Sequence, residues 1–581
     1  MMVWPGESWI NMRSPVQLLR APSAADGASA HFQAQCRWCG ALNKNAADGI
    51  RPNSRFYFFG SADFITAAGE WAVAGPDAAP ELLFATDTTP ATATAPSALP
   101  GPAPSSAPPA DVYVAALLSP LVTMHDGADN IVVSNVSITD ADYSAIGNQA
   151  NFNGDFKAHG APADGAVLIS NSSNVTVAST TFYALGGGGV LLANRSAGCL
   201  IATSRFVGIG QSGVMFVGNG TTQPFRCRVA NNTMLRVGSI LHSAAGIFVT
   251  TASEIEIHGN TVDTAPRWGI AVRSNQNAAS ANVHVEWNVV RNTMLATKDG
   301  GAISFVDHTA THAVGGGRIA NNCVRGVLGV DTVGDGNPVP PRSHSAYNGR
   351  LRVGWCSYGI YLDDHTSHVE VRGNVLVQTG GPSLVVHGGT NNTVANNVFA
   401  NASNPRGLDR VIAKVRRDQW GMVYIDASFG PTVIDANSTG NAVRQNIFLY
   451  AAAAGRSGGG GGVGLRGGTG SNVTIIGSAV PLAPHIVGKE LSGGVRSNLY
   501  YNLANGNGLP LFSDSVPQFS NYTFAEWQQL GFDVDGSSYQ GKDPLFVDAR
   551  TGGAAAGDWR LRPGSPAATL IGFQPPGIYA C

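Results

Sequence analysis

The chain has 581 residues, with 36 Lys and Arg against 38 Asp and Glu and a formal charge of −2; with no basic stripe, this excludes a polyanion such as nucleic acid as the main partner. Only 13% of residues are charged and 73 are glycine, a balance foreign to a compact α/β enzyme and suited to short strands joined by tight turns. Seven cysteines are too few to scaffold a fold of this length, and no apolar run is long enough to span a membrane.

The opening, MMVWPGESWINMRSP, lacks the apolar stretch of a secretion signal. Residues 1–85 contain SRFYFFGSADFITAAGEWAV, which reads as strands of a small β-rich element. Within it Cys36 and Cys39 form a lone C-x-x-C, without the second pair that a zinc site requires, so no metal is assigned. Residues 86–110, rich in Pro, Ala and Thr, are expected to be a disordered insert.

Residues 111–450 carry a repeat: RCRVANNTM (226–234), EIEIHGNTV (254–262), NVHVEWNVV (282–290), GRIANNCV (317–324), HVEVRGNVL (368–376) and NTVANNVFA (392–400). An alternating strand, an Asn-containing turn and a second apolar pair recur with Asn at 232, 260 and 288, and again at 374 and 397. This period predicts one coil per repeat of an all-β, right-handed parallel β-helix, running from about Asn130 to Leu449. Strand alternation puts Val229, Ile257 and Val285 inside and Arg228, Glu256 and His284 outside. Asn at the turn accepts left-handed backbone geometry and bonds to the coils above and below. Cys199 and Cys227 share one repeat position, so stacking brings them together either as a disulfide or as a buried thiol ladder.

Between Gly326 and Trp355 the rhythm breaks into a long loop, a place where solenoids carry function. Residues 451–470, with a glycine run from Gly458 to Gly462, are expected to be a second flexible insert, and 471–581 a closing segment. Eleven N-x-S/T sequons, at Asn135, Asn171, Asn174, Asn194, Asn219, Asn231, Asn391, Asn401, Asn437, Asn472 and Asn521, fit a secreted glycoprotein. They fit equally a repeat that favours Asn before Thr.

Acidic residues on an outward strand face have no packing role, and glycosidic-bond chemistry commonly needs two carboxyl groups. Asp299 in TKDGGAISF stands just ahead of a strand, and Asp363 and Asp364 in YGIYLDDHTSH stand at a strand end. Parity puts Tyr361 and Asp363 on the outer face and Asp364 at the start of the turn. The long loop accounts for the sequence distance, so the two sites are expected on adjacent coils. Arg267, Trp268 and His242 on earlier coils, with Tyr361, His365 and His387, are the substrate-binding candidates. Arg would hold a hydroxyl or carboxylate, and an aromatic ring would stack on a sugar.

GIYLDDHTSHVEVRGNVL, TKDGGAISF and NTVDTAPRWGIAV resemble coils of the large right-handed β-helix family related to glycoside hydrolase family 141. The ending DPLFVDARTGGAAAGDWRLRPGSPAATLIGF is similar to that family's closing segment, and FITAAGEWAV to its N-terminal β element. The resemblance spans roughly residues 55–575, and a member of the family usually has more chain before the β element. It implies hydrolysis of plant-type cell-wall glycans, fucosidase and xylanase activities being known in the family, by two aspartates: Asp299 and either Asp363 or Asp364. Two positions depart from the family pattern, Arg267 where His is usual and Ser304 where Tyr is usual, and both bear on the substrate subsite. The expected protein is therefore a secreted, monomeric, cofactor-free glycoside hydrolase acting on a polysaccharide or oligosaccharide. The alternatives are a polysaccharide lyase or uronan epimerase using Lys298, Arg267 or His365, and a non-catalytic carbohydrate-binding surface protein.

Overall fold

The computed structural model describes residues 120–142, 165–307 (except 220, 275–277 and 298), 316–327, 357–400 (except 380, 381 and 388), 440–450, 496–502, 524–529, 538–549 and 557–581 (except 578 and 579). Outside these ranges it describes the backbone of further strands. The inserts 86–110 and 451–470, the C-x-x-C pair, Lys298 and the middle of the long loop lie outside the described residues. Backbone strands Met2–Trp4, Met12–Arg13 and Arg55–Tyr57 form an antiparallel sheet in the N-terminal region, where β structure was expected.

Three long sheets organise the described chain. One coil shows the plan: Val214–Val217 lies on the first face, Arg228–Ala230 on the second and Thr233–Val237 on the third, before Ala245–Thr250 returns to the first. Every coil repeats this order, giving parallel sheets of 13, 11 and 12 described strands; the one antiparallel addition is Ser520–Tyr522 at the end of the first face. The fold is thus the right-handed parallel β-helix that the repeat predicts. Hydrophobic repetition alone ends the helix near Leu449, but Val495–Arg496, Leu499–Asn502 and Tyr539–Gln540 continue the sheets to residue 540. The excursions that precede these late strands hide the period.

Alternation decides which side chains meet inside. Val229, Ile257 and Val285 are fully buried and in register, while exposed Arg228 and Glu256 pair outside at 2.6 Å. Such an exposed pair adds little stability. The interior instead gains from stacked apolar rows, in which Phe182 lies 4.5 Å over Phe206, and Phe448 bridges Phe399 and Tyr500 at 5.1 and 5.2 Å. Cys199 and Cys227 are free buried thiols, the Cys199 N–H donating to Cys227 Sγ at 3.4 Å, so the ladder alternative describes this pair.

The repeated Asn forms a column of buried amides at the turn from the second face to the third. In it Asn232, Asn260, Asn288, Asn322, Asn374, Asn397, Asn446 and Asn498 donate and accept in series, Nδ2 to the next Oδ1 at 2.9–3.2 Å. Each Nδ2 also reaches a strand carbonyl of the preceding coil, as Asn288 does to Ile257 at 2.9 Å. The left-handed backbone expected of these Asn belongs instead to the residue before each: Asn231, Gly259, Trp287, Asn321, Gly373 and Asn396 have φ of 54–68°. Two adjacent positions therefore share the work, one turning the chain and one bonding the coils.

The closing segment covers the outer side of the third face. Phe546, Trp559, Ile571 and Phe573 pack on outward Val375, Val377, Val398, Ile447 and Leu499. Backbone N–H groups of Gln574 and Gly577 donate to the corner residues Asn396 and Asn321 at 2.9 and 3.2 Å. A disulfide between Cys323 and Cys581, 258 residues apart, pins the end of this segment. Such a bond forms and persists in oxidising compartments.

Asn288→Leu removes the acceptor for the Asn260 N–H and amide and the donor to Ile257, and should cost about 3 kcal/mol, read as a lower unfolding midpoint in urea. Cys323→Ser with Cys581→Ser should leave the coils folded but speed amide exchange in residues 557–581. Unchanged exchange there would mean that packing alone holds the segment.

Candidate active site

The strands Gly300–Asp307 and Ser357–Asp364 are each eight residues long and pair side by side on the first face. Ser304 faces Tyr361 in the register, Val306 faces Asp363, and Asp307 faces Asp364. Leu384–His387 follows next, with Tyr361 opposite Val385. The residues inserted between the first two strands therefore leave the coil in step. Inward Ile303, Phe305, Ile360 and Leu362 fill the core, so their neighbours Ser304, Tyr361 and Asp363 face out.

Asp363 sits at the centre of a polar group. Its Oδ1 lies 2.8 Å from His387 Nδ1 and accepts the Asp364 N–H at 2.8 Å. The Tyr361 hydroxyl is 3.4 Å from the same His387 nitrogen, and its ring stacks near the imidazole at 6.2 Å and lies tilted against Tyr358 at 4.6 Å. Only 20% of the Asp363 side chain and 22% of His387 reach solvent. Burial by itself pushes the Asp363 carboxyl up. The hydrogen bond and charge of His387, with the Tyr361 hydroxyl and the Asp364 N–H, outweigh it and hold the carboxyl below its ordinary range. Burial, followed by the charges of Asp363 and Asp299, pushes the Tyr361 hydroxyl well above the usual tyrosine range, so it remains a donor. A carboxylate facing Nδ1 fixes the imidazole proton on that nitrogen.

Asp299 precedes Gly300, which pairs with Ser357, whereas Asp363 pairs with Val306. The coils are adjacent as expected, and although the register puts the two aspartates seven positions apart, the charge of Asp299 reaches the Tyr361 hydroxyl beside Asp363. Arg267 and Trp268 belong with Asp299: Arg267 donates to the Asp299 carbonyl at 3.0 Å, and its guanidinium lies 3.9 Å over the Trp268 ring. Arg273 approaches that indole from 5.3 Å. Trp268 is 1% and Arg267 4% exposed, so here both serve packing rather than an open sugar platform. His365 is buried behind the turn, its N–H directed to the Asp307 carbonyl, and half-buried His242 precedes a strand three coils before that of Asp363. Of the substrate-binding candidates, Tyr361 and His387 thus join Asp363 and Asp364; Arg267 and Trp268 join Asp299; His365 directly follows Asp364, and His242 lies three coils earlier.

One row of outward residues explains where the polar group lies. Leu191, Met215, Phe248 and Ala271 occupy successive register positions on the first face and are buried, and the row turns polar at Ser304 and Tyr361. This switch is visible in IFVT, IAVR, ISFV and IYLD once the register is known. Arg273, Tyr358 and buried Asp307 carry no signal in the sequence, because each reads as an ordinary strand residue. No metal is expected from the sequence, yet donor atoms of Asp363, Asp364 and His387 lie within 4.8 Å of one another. Two carboxylates and an imidazole could hold a divalent cation. Among the described residues no helix is long and apolar enough to cross a membrane.

The sequence profile of the right-handed β-helix region matches residues 164–339. None of the curated proteins matches the chain. Solved structures similar to it include a glycoside hydrolase, 16% identical, with 39% of this chain and 38% of that one covered and a TM-score of 0.31. PfbA, a surface adhesin of Streptococcus pneumoniae, is 14% identical over 58% of this chain and 73% of its own, with a TM-score of 0.35. The periplasmic alginate epimerase AlgG is 11% identical over 69% and 77%, with a TM-score of 0.35. The chain spans little more than a third of the matched glycoside hydrolase. These likenesses carry nothing about what the chain does, and the right-handed β-helix rests on the matched profile and the three parallel sheets.

Replacing His387 with Gln removes the charge and the hydrogen bond that oppose burial at Asp363. The Asp363 carboxyl should then titrate at higher pH than in the unaltered protein, measurable by difference infrared spectroscopy of the carboxyl band, with Asp363→Asn identifying the band.

Proposed function

We propose that the protein is a glycoside hydrolase acting on a cell-wall or other extracellular polysaccharide, with Asp363 as the ionised carboxylate and Asp364 as the acid. The observation that carries this is a half-buried carboxylate held ionised with a second carboxyl group beside it. Asp363 is held anionic by His387, Tyr361 and a backbone N–H, and a carboxyl oxygen of Asp364 falls in the same 4.8 Å group. Separations near ~5 Å suit double displacement. Asp364 gives its proton to the leaving oxygen as the glycosidic bond breaks and Asp363 bonds to the anomeric carbon. Water then displaces Asp363 and returns a proton to Asp364. Asp299, whose charge acts on Tyr361, orients substrate from the adjacent coil. The resemblance supports one catalytic carboxyl group in the LDD coil, whereas it puts the second on Asp299, to which this reading gives the orienting role.

A lyase or epimerase is the second reading, favoured by the His387 and Tyr361 pair, which offers a base and a proton donor. Lyase cleavage of a uronan leaves an unsaturated, ultraviolet-absorbing end, and epimerisation leaves chain length unchanged.

On a panel of plant and algal polysaccharides, hydrolysis should release saturated reducing ends and survive EDTA. Asp363→Asn and Asp364→Asn should each lower the rate roughly 10²–10⁴-fold with an unchanged circular dichroism spectrum. Unsaturated products, or full activity in either variant, would remove the hydrolase assignment. Because Asp363 must be ionised and its carboxyl is held low, activity should persist to a pH below the usual carboxylate range and fall as Asp363 protonates. In His387→Gln that acidic limb should move upward.

A further inference from the structure

The sequons divide sharply once the backbone is known. Of the seven with described side chains, Asn135, Asn171, Asn174, Asn194, Asn231 and Asn391 have φ of 51–57°, the left-handed geometry of the coil corners. At a corner the side chain is laid along the helix axis onto a neighbouring coil. Asn194 Nδ2 donates to Ser170 at 2.8 Å, and Asn174 Nδ2 donates to Asn130 at 3.3 Å. The Asn171 carbonyl takes the Arg195 N–H at 3.4 Å. Asn231 and Asn391 press their Oδ1 to within 2.4 and 2.1 Å of where a Cβ would stand on Gly259 and Gly440, so no larger residue fits beneath them. Nδ2 of Asn174 and Asn194 is thereby taken up by the neighbouring coil, and the Asn194 sequon hydroxyl, on Ser196, is spent on backbone carbonyls instead of the amide.

Asn219 alone of the seven escapes this geometry. It follows the strand Val214–Val217 in an exposed turn, and its own N–H donates to the Thr222 carbonyl at 2.7 Å. Its Oδ1 accepts three donors, the Thr221 N–H, the Thr221 hydroxyl and the Thr222 N–H, each at 2.9 Å. With the carbonyl side of a planar amide held against the turn, Nδ2 is directed away from the protein. The hydroxyl two residues on is the one the sequon requires, and here it already touches the acceptor amide and polarises it.

We propose that Asn219 is an N-glycosylation site, occupied in preference to the corner sequons. The co-reactant is a lipid-linked oligosaccharide diphosphate. Nδ2 bonds to the anomeric carbon as the sugar–phosphate bond breaks; the lipid diphosphate leaves, and Nδ2 gives up one proton. The inference rests on passage through a secretory pathway, in keeping with the Cys323–Cys581 disulfide, and not on the hydrolase assignment. The strand before Asn219 lies four strands from the one bearing Asp363, roughly 19 Å across the sheet, so the glycan leaves Asp363 uncovered.

The test is expression of the full chain through the secretory pathway of a eukaryotic cell. Peptide N-glycosidase digestion in heavy-oxygen water then marks every occupied Asn as a labelled Asp for peptide mass spectrometry. Most molecules should be labelled at Asn219, with several-fold lower label at Asn171, Asn174, Asn194, Asn231 and Asn391. Thr221→Ala should remove the Asn219 label while the protein is still made and folded. Absence of label at Asn219, or corner residues labelled as fully as Asn219, would overturn the proposal.

Discussion

A column of buried Asn amides is the interaction on which the rest of this structure depends. Each amide has its donors and acceptors satisfied inside the protein, and each removes a cost that an unpaired polar group would impose on the core. Steps between successive members vary widely, from 23 residues between Asn374 and Asn397 to 52 between Asn322 and Asn374. The bonds are nevertheless alike at every step. Insertions between coils therefore leave the column in place, which is why Asp363 stands opposite Val306 although a long stretch of chain intervenes.

That constancy makes a site out of residues distant in sequence. The first face is apolar on its outer side over several coils and becomes polar where Ser304, Tyr361, Asp363 and His387 meet. Two opposing effects act on Asp363, burial against a cluster of donors, and the donors win. A buried carboxylate kept charged in this way is costly to form and is typical of sites that perform chemistry. Tyr361, pressed the other way, stays protonated beside it. The charge distribution is thus sorted within one strand and its neighbour.

The third face is handled differently. Its outer side is apolar, as Val375, Val377, Ile447 and Leu499 show, and the chain's own end covers it. Packing, corner-Asn acceptors and one disulfide hold that end together. A solenoid's exposed apolar side invites association, and covering it in cis removes the invitation.

The sequence by itself determined the coil. Period, alternation and the recurring Asn specify which residues turn inward, because stacking repeats is the only way for each to bury its apolar face, and parity alone placed Tyr361 and Asp363 outside. It also located the LDD strand end, since an acidic pair has no packing reason to follow Ile360 and Leu362. Only the tertiary structure decided the rest, through contacts whose sequence separation no local pattern encodes. His387 reaches Asp363 because the register of adjacent coils, which pairs Leu362 with Val386, carries the next two residues side by side, not because their sequences share a motif. Asp299 acts on Tyr361 across a long stretch of intervening chain, because the register pairs the strand that follows Asp299 side by side with the strand of Tyr361. The helix runs past Leu449 and Cys323 meets Cys581 for the same reason: once the Asn column holds the coils in step, long stretches of chain can intervene without leaving a trace in the local sequence.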